Sequence, residues 1–220
     1  PSVFPESDGW RGVWHLSATA PVHDATNASR HGIDFRTLDA EGLVGRGRFC
    51  DTGWIRVPDQ DGLEPHAITL SAWARREGSQ VDNAKILSKG NLADWHNSWS
   101  LQAYDSTARF GFLAVRTDSV RDTLRPADPL PEGEWSLVSA SWEPSSGTLR
   151  LFVDGAATDS STRMEPFERF AGMDMPLFLG ANFIGTLDEP RVSAVARSPA
   201  WMHLDWMTQK PGSTALRFLR

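Results

Sequence analysis

One run in the second half of this chain leaves little choice of backbone. In "EWSLVSASWEPSSGTLRLFVDG" (134–155), apolar and small residues alternate with polar ones on both sides of Pro144-Ser145-Ser146-Gly147. Period-two alternation puts one set of side chains on each face of an extended strand, and the central cluster supplies a turn, so the segment predicts an antiparallel hairpin. Leu149, Leu151 and Val153 share the inward face of its second strand. The same alternation recurs in "WRGVWHL" (10–16), "AITLSAWARR" (67–76), "SWSLQAY" (98–104), "TARFGFLAV" (107–115) and "PLFLGANFIGTLDEPRVS" (176–193). Within 67–76, Ile68, Leu70, Ala72 and Ala74 point one way, and Thr69, Ser71, Trp73 and Arg75 the other. Helical periodicity appears once, at 198–208. There Ser198 suits an N-cap, Pro199 the first helical position, and Trp201, Leu204 and Met207 form a stripe. Many short strands with one late helix predict an all-β sandwich of two antiparallel sheets, and residues 1–220 are read as a single domain.

Charge narrows the partners. The net charge of −6, with acidic and basic residues interspersed, gives no basic stripe to neutralise phosphates and little attraction to an anionic membrane surface. Nucleic acid is therefore excluded as a partner, and no apolar run approaches the ~20 residues that span a bilayer. Cys50 is the sole cysteine, which rules out an internal disulfide and a cysteine-built zinc site. The chain starts at Pro1 without a charged-then-apolar leader, so it is read as a fragment whose export signal lies outside it.

Chemistry-bearing residues are sparse. The six histidines, His15, His23, His31, His66, His96 and His203, show no metal-ligand spacing. "GLVGRGRF" (42–49) has glycines but neither the lysine nor the helix of a phosphate loop. A glycosidase needs two carboxylates about 5 Å or more apart, and on one strand that reads as acid-x-acid. Asp188 and Glu189 are adjacent and so face opposite sides of a regular strand, while Glu132 and Glu134 sit in a turn. The carboxylates suit a hard cation better, because loops supply the several oxygens that calcium takes. Asp24, Thr26 and Asn27 in "HDATNASRHG" (23–32) together with Asp188 are the candidate ligands; Asx turns and hydrogen bonds to backbone amides are the alternative use of the same groups. Pro190 cannot donate to a ladder, so "GTLDEPRV" (185–192) should be a final long strand interrupted after the acidic pair. That break would free Asp188 to turn toward Asp24.

Ten tryptophans stand against one tyrosine. Trp is at home in a core and also stacks on sugar rings. "NLADWHNSWS" (91–100) offers Trp95 and Trp99 for stacking and His96 and Asn97 for hydroxyls. Trp73 and Arg75 are a second candidate pair if their strand's outer face is open.

The order of motifs resembles the laminin-G-like modules of the concanavalin A-like lectin/glucanase group found in bacterial secreted proteins. The landmarks are "GVWHL" (12–16), "HDATNASRHG", "GRGRFCDTGWIRVPD" (45–59), "AITLSAWARR", "KILSKG" (85–90), "WSLVSASW" (135–142), "LRLFVDG" (149–155), "PLFLGAN" (176–182) and "GTLDEPRVSAVARSPAWM" (185–202), in sequence over nearly the whole chain. The resemblance implies a jelly-roll sandwich, often with a structural calcium. The Glu-x-Asp-x-x-Glu run that glucanases of this group place on a central strand has no match here. The expectation is a non-catalytic, extracytoplasmic, monomeric module that binds carbohydrate or a cell-surface protein. A divergent glycoside hydrolase or polysaccharide lyase, and a structural spacer, are the alternatives.

Overall fold

The computed structural model describes residues 3–17, 21–92, 97–116, 120–162, 165–167, 170–171 and 174–214. In chain order the strands are β1 (Trp10–Val13), β2 (Ile33–Phe35), β3 (Leu38–Glu41), β4 (Arg46–Cys50), β5 (Trp54–Val57), β6 (Ile68–Arg76), β7 (Lys85–Gly90) and β8 (Asn97–Ala103). They continue as β9 (Phe110–Val115), β10 (Arg121–Leu124), β11 (Ser136–Glu143), β12 (Thr148–Val153), β13 (Ala156–Ser161), β14 (Leu177–Leu179) and β15 (Gly185–Ser193), and helix α1 (Pro199–Gln209) follows. They form two antiparallel sheets. The eight-stranded sheet runs β13-β12-β11-β6-β15-β4-β3, with β1 also paired to β15; the seven-stranded sheet runs β10-β9-β8-β7-β14-β5-β2. The predicted sandwich and its single late helix are what the chain builds. Among the described residues no helix is long and apolar enough to cross a membrane.

Alternation explains the core. Ile68, Leu70, Ala72 and Ala74 of β6 and Leu149 and Leu151 of β12 meet Trp99, Leu101 and Ala103 of β8, Phe110 and Phe112 of β9 and Leu177 and Leu179 of β14 in one buried cluster. Each fully buried Leu or Phe removes apolar area worth roughly 1.5–3 kcal/mol from water. Two of the core tryptophans satisfy their polar ends. Trp14 Nε1 donates to the Arg30 carbonyl and Trp99 Nε1 to the Leu63 carbonyl, both at 2.8 Å. Lys89 is fully buried, and its Nζ lies 2.5 Å from Asp59 and 2.6 Å from Glu64. Cys50 is buried, and desolvation pushes its thiol up to about 12, so it packs rather than reacts.

Helix α1 starts as the sequence implies, with Ser198 Oγ accepting from Trp201 N at 3.2 Å and Pro199 at the first position. It lies on the outer face of the eight-stranded sheet. The contact is not the Trp201–Leu204–Met207 stripe: Leu204 is 59% exposed, and the buried side carries Met202. Arg191 of β15 grips Asp205 with two bonds of 2.9 and 2.8 Å, and Trp73 Nε1 donates to Gln209 at 3.1 Å. Polar partners on the sheet, rather than apolar spacing on the helix, set its rotation. Gly155 permits the fit, because a Cβ there would lie 2.9 Å from the His203 Cα.

Candidate functional site

With α1 laid across the eight-stranded sheet, that outer face is occupied. Trp73 is 1% exposed beneath the helix. Arg75 stacks 5.2 Å from the Trp135 ring and reaches Thr186 Oγ1 at 3.4 Å. Trp73 therefore presents no ring to a ligand, and the proposed Trp73–Arg75 pair is a packing contact. The expectation failed because the helix covers the very face the strand pattern left polar.

The outer face of the seven-stranded sheet is open at one edge. Its cross-strand register places Ile33, Arg56, Phe178, Ser88, Ser100, Leu113 and Thr123 in one continuous row across all seven strands. Exposure falls along this row from 46% at Ile33 to 7% at Phe178 and 0% at Ser88 and Ser100. The face is thus open at its β2 edge and closed at its centre. A second row places Lys85 opposite Gln102.

The centre is polar although it is buried. Ser88 Oγ donates to Asn97 Oδ1 at 2.9 Å, Lys85 Nζ donates to the same oxygen at 3.4 Å, and Ser100 Oγ donates to the Leu87 carbonyl at 3.3 Å. Four further atoms here are buried without a hydrogen-bond partner among the described residues: Asn97 Nδ2, Ser98 Oγ, and both Oε1 and Nε2 of Gln102. A buried polar group left unpaired costs about 1–3 kcal/mol, so three such side chains on one strand are an energetic liability unless something else pairs them. Of the sequence-predicted set, Asn97 belongs to this cradle. Trp99 does not. It alternates with Leu101 onto the core side, is 0% exposed and has its indole bonded to Leu63, so it cannot stack on a sugar. Trp95 and His96 lie outside the described residues.

At the open edge, Trp54 and Phe35 are cross-strand neighbours whose rings stack with centroids 5.8 Å apart and planes 19° from parallel. Phe35 is 39% exposed. Sequence reasoning missed this pair. Its signal was in "WIRV", where Ile55 and Val57 alternate inward and thereby send Trp54 and Arg56 outward.

The carboxylates do other work. Asp24 Oδ1 accepts from Val13 N and Thr26 N, both at 3.0 Å, and its Oδ2 accepts from Thr26 Oγ1 at 2.6 Å and Arg30 N at 2.9 Å. Asn27 Oδ1 accepts from Glu6 N at 3.3 Å. β15 is the predicted last strand, and its pairing with β6 breaks between Asp188 and Arg191, as Pro190 requires. Asp188 then turns to the β3–β4 connection rather than to Asp24. Its Oδ2 accepts from Val44 N and its Oδ1 from Glu189 N, each at 2.8 Å. No residue is partner to both aspartates, and among the described residues no three His, Cys, Asp or Glu side chains gather as a metal-holding group. Asp24, Asn27 and Asp188 do not fit a shared calcium; each anchors its own loop.

Burial raises Asp188 to about 6, against the amides of Val44, Glu189 and Leu43 that favour its charge. Glu189, in the left-handed region at φ 48°, meets His15 Nδ1 at 2.5 Å, and this bond raises the histidine. The two acidic groups are thus spent on an amide turn and an imidazole. A separate cleft of about 410 Å³ near β12 and β13 is walled by Pro126, Pro129, Pro131 and Val153, with Asp128 and Thr158 as its polar side chains.

Comparison with known proteins bears on this geometry. The family model of the concanavalin A-like lectin/glucanases superfamily, in its laminin-G form, matches residues 49–203. No curated protein matches the chain. Among solved structures, the binding domain of Paraclostridial Mosquitocidal Protein 1 superposes with a TM-score of 0.73 at 11% identity, over 91% of this chain and 52% of that one. Domain 4 of AbnA, a GH43 extracellular arabinanase from Geobacillus stearothermophilus in complex with arabinotriose, gives 0.67 at 19% identity, over 90% of this chain and 98% of that domain. The botulinum neurotoxin serotype D ligand-binding domain in complex with N-acetylneuraminic acid gives 0.70 at 9% identity, over 92% of this chain and 51% of that one. The chain spans about half the length of the toxin domains it superposes on.

Proposed function

The chain belongs to the concanavalin A-like lectin/glucanase superfamily, and from that premise we propose that it is a non-catalytic carbohydrate-recognition module acting outside the cytoplasm. The observation that carries this reading is the cradle on the outer face of β8, where Asn97, Ser98 and Gln102 hold buried donors and acceptors with no partner among the described residues. Sugar hydroxyls both donate and accept, so they match a mixed set of amides and hydroxyls. A buried network completed by its ligand also discriminates strongly against molecules lacking those hydroxyls. An oligosaccharide entering from the β2 edge would lay a ring against Trp54 and Phe35, and the buried cradle would have to open for its hydroxyls to reach Gln102. Two structural neighbours, the arabinanase domain and the serotype D domain, were solved with saccharides bound, which supports the substrate class. Non-catalytic action is supported by the engagement of Asp188 with backbone amides and of Glu189 with His15.

A glycan array probed with the wild-type protein and with Asn97→Ala and Gln102→Met variants tests the reading. Binding to a defined glycan set that both variants lose is the expected result. Binding to no glycan, or binding that both variants retain in full, overturns it.

A further inference from the structure

At the β2 edge of the same face, Arg56 is an arginine that no carboxylate among the described residues holds. Arg46, Arg48, Arg75, Arg76, Arg109 and Arg191 each lie against a carboxylate. The Arg56 side chain makes no hydrogen bond or ion pair among the described residues. It is half-buried in the sheet row between Ile33 and Phe178, its two cross-strand neighbours, and shares its face with Trp54 one alternation away. The Trp54 indole N–H is likewise unengaged among the described residues. The site therefore offers donors only: a planar fork of guanidinium N–H groups and an indole N–H, beside an aromatic pair.

A guanidinium flanked by apolar side chains has part of its water removed and gains most from an anion that accepts two parallel bonds, which is the geometry of a carboxylate. The neighbouring rings provide an apolar wall for a pyranose face. With strands about 4.8 Å apart, Arg56 on β5 lies roughly 14 Å across the sheet from Gln102 on β8. One ligand touching both ends is consequently an oligosaccharide rather than a single ring.

We infer that Arg56, Trp54 and Phe35 form an acidic-sugar subsite, which selects saccharides bearing a carboxylate of the uronate or sialate type. This rests on the carbohydrate reading above and narrows it. The central cradle supplies hydroxyl recognition, and the edge supplies charge selection.

The test uses a galacturonate trisaccharide and sialyllactose, each beside its neutral methyl ester, titrated calorimetrically into the wild-type protein, Arg56→Gln and Trp54→Ala. At least one acid should bind about tenfold more tightly than its ester, the difference a charge-assisted bidentate contact provides. Arg56→Gln should bring acid and ester to parity without lowering the melting temperature, and Trp54→Ala should weaken both by a similar factor. Equal wild-type affinity for acid and ester, a preference that survives Arg56→Gln, or binding of neither acid overturns the inference. If neutral glycans still bind and Gln102→Met abolishes that binding, only the acidic subsite falls. If no glycan binds at all, the carbohydrate reading falls with it.

Discussion

Replacing Gln102 by methionine should make this protein more stable and less functional together. Gln102 sits on β8 opposite Lys85, is 0% exposed, and has both its amide oxygen and its amide nitrogen unpaired. Methionine has the same unbranched reach, carries no strong donor or acceptor, and adapts to irregular space. The variant thus removes two unsatisfied groups while conserving most of the packing. An unpaired buried group costs about 1–3 kcal/mol. Taking the low end for each of the two atoms, the gain is about 2 kcal/mol. For a chain of this size that corresponds to a rise of about 4–8 °C in Tm. Differential scanning calorimetry of ligand-free protein, with urea titration as a second measure, reads the effect. The array or calorimetric titration reads the loss of glycan binding. A Tm that falls or stays level refutes the argument, since it means that Gln102 already has a partner in the folded protein. A higher Tm with unimpaired binding would keep the energetics but remove Gln102 from the site.

Three further outcomes follow from the same geometry. Asp188 is raised to about 6 from its ordinary 3.8, so the folded state holds that proton more tightly than the unfolded chain. Its contribution is present in full below the unfolded value and is lost as pH rises through the folded one; subtracting Asp188→Asn from wild type should therefore show stability falling across that window, and a flat difference would refute it. A chelator such as EDTA should leave the wild-type Tm unchanged, because amide and hydroxyl donors already occupy the oxygens of Asp24 and Asp188; a drop on chelation would contradict that assignment. Arg191→Met should cost about 3–5 kcal/mol in chemical denaturation by leaving the Asp205 carboxylate, 9% exposed, without its cation and with only the Gln209 amide to pair it. A loss below 1 kcal/mol, the range of exposed pairs, would show that the clamp is dispensable.

What the sequence revealed and what it withheld follow a physical division. Strands were legible because side-chain alternation is local, and β6, β11 and β12 need only their own pattern to declare an inward face. Even the misplacement of Trp99 was correctable from "SWSLQAY", since a tryptophan in phase with Leu101 must share its core side. Asp188 was legible as an interruption at Pro190 but not in its partner: Val44 lies 144 positions away, and nothing local distinguishes its turn from the loop holding Asp24. The covering of Trp73 was hidden for the same reason. It depends on Arg191 reaching Asp205 and on Gln209 reaching Trp73, contacts that exist only after helix and sheet have docked. The cradle was half visible. Ser98, Ser100 and Gln102 are plainly the outward set of β8, but only the sheet register shows that they are buried there.

The position of β15 carries a consequence for how the chain comes together. β15 is made after every other strand of its sheet, yet it is an interior strand, lying between β6 and β4 and also pairing with β1. Until residues 185–193 emerge, β4 and β6 each present an unpaired ladder, and the first strand has no neighbour to join. Pairing of such sequence-distant segments is slow, because the intervening loop must close before any contact repays it. During synthesis the nascent sheet is therefore two half-sheets with sticky edges, open to the β15 of another copy. A chain cut before Gly185 should fail to assemble this sheet rather than lose only its tail.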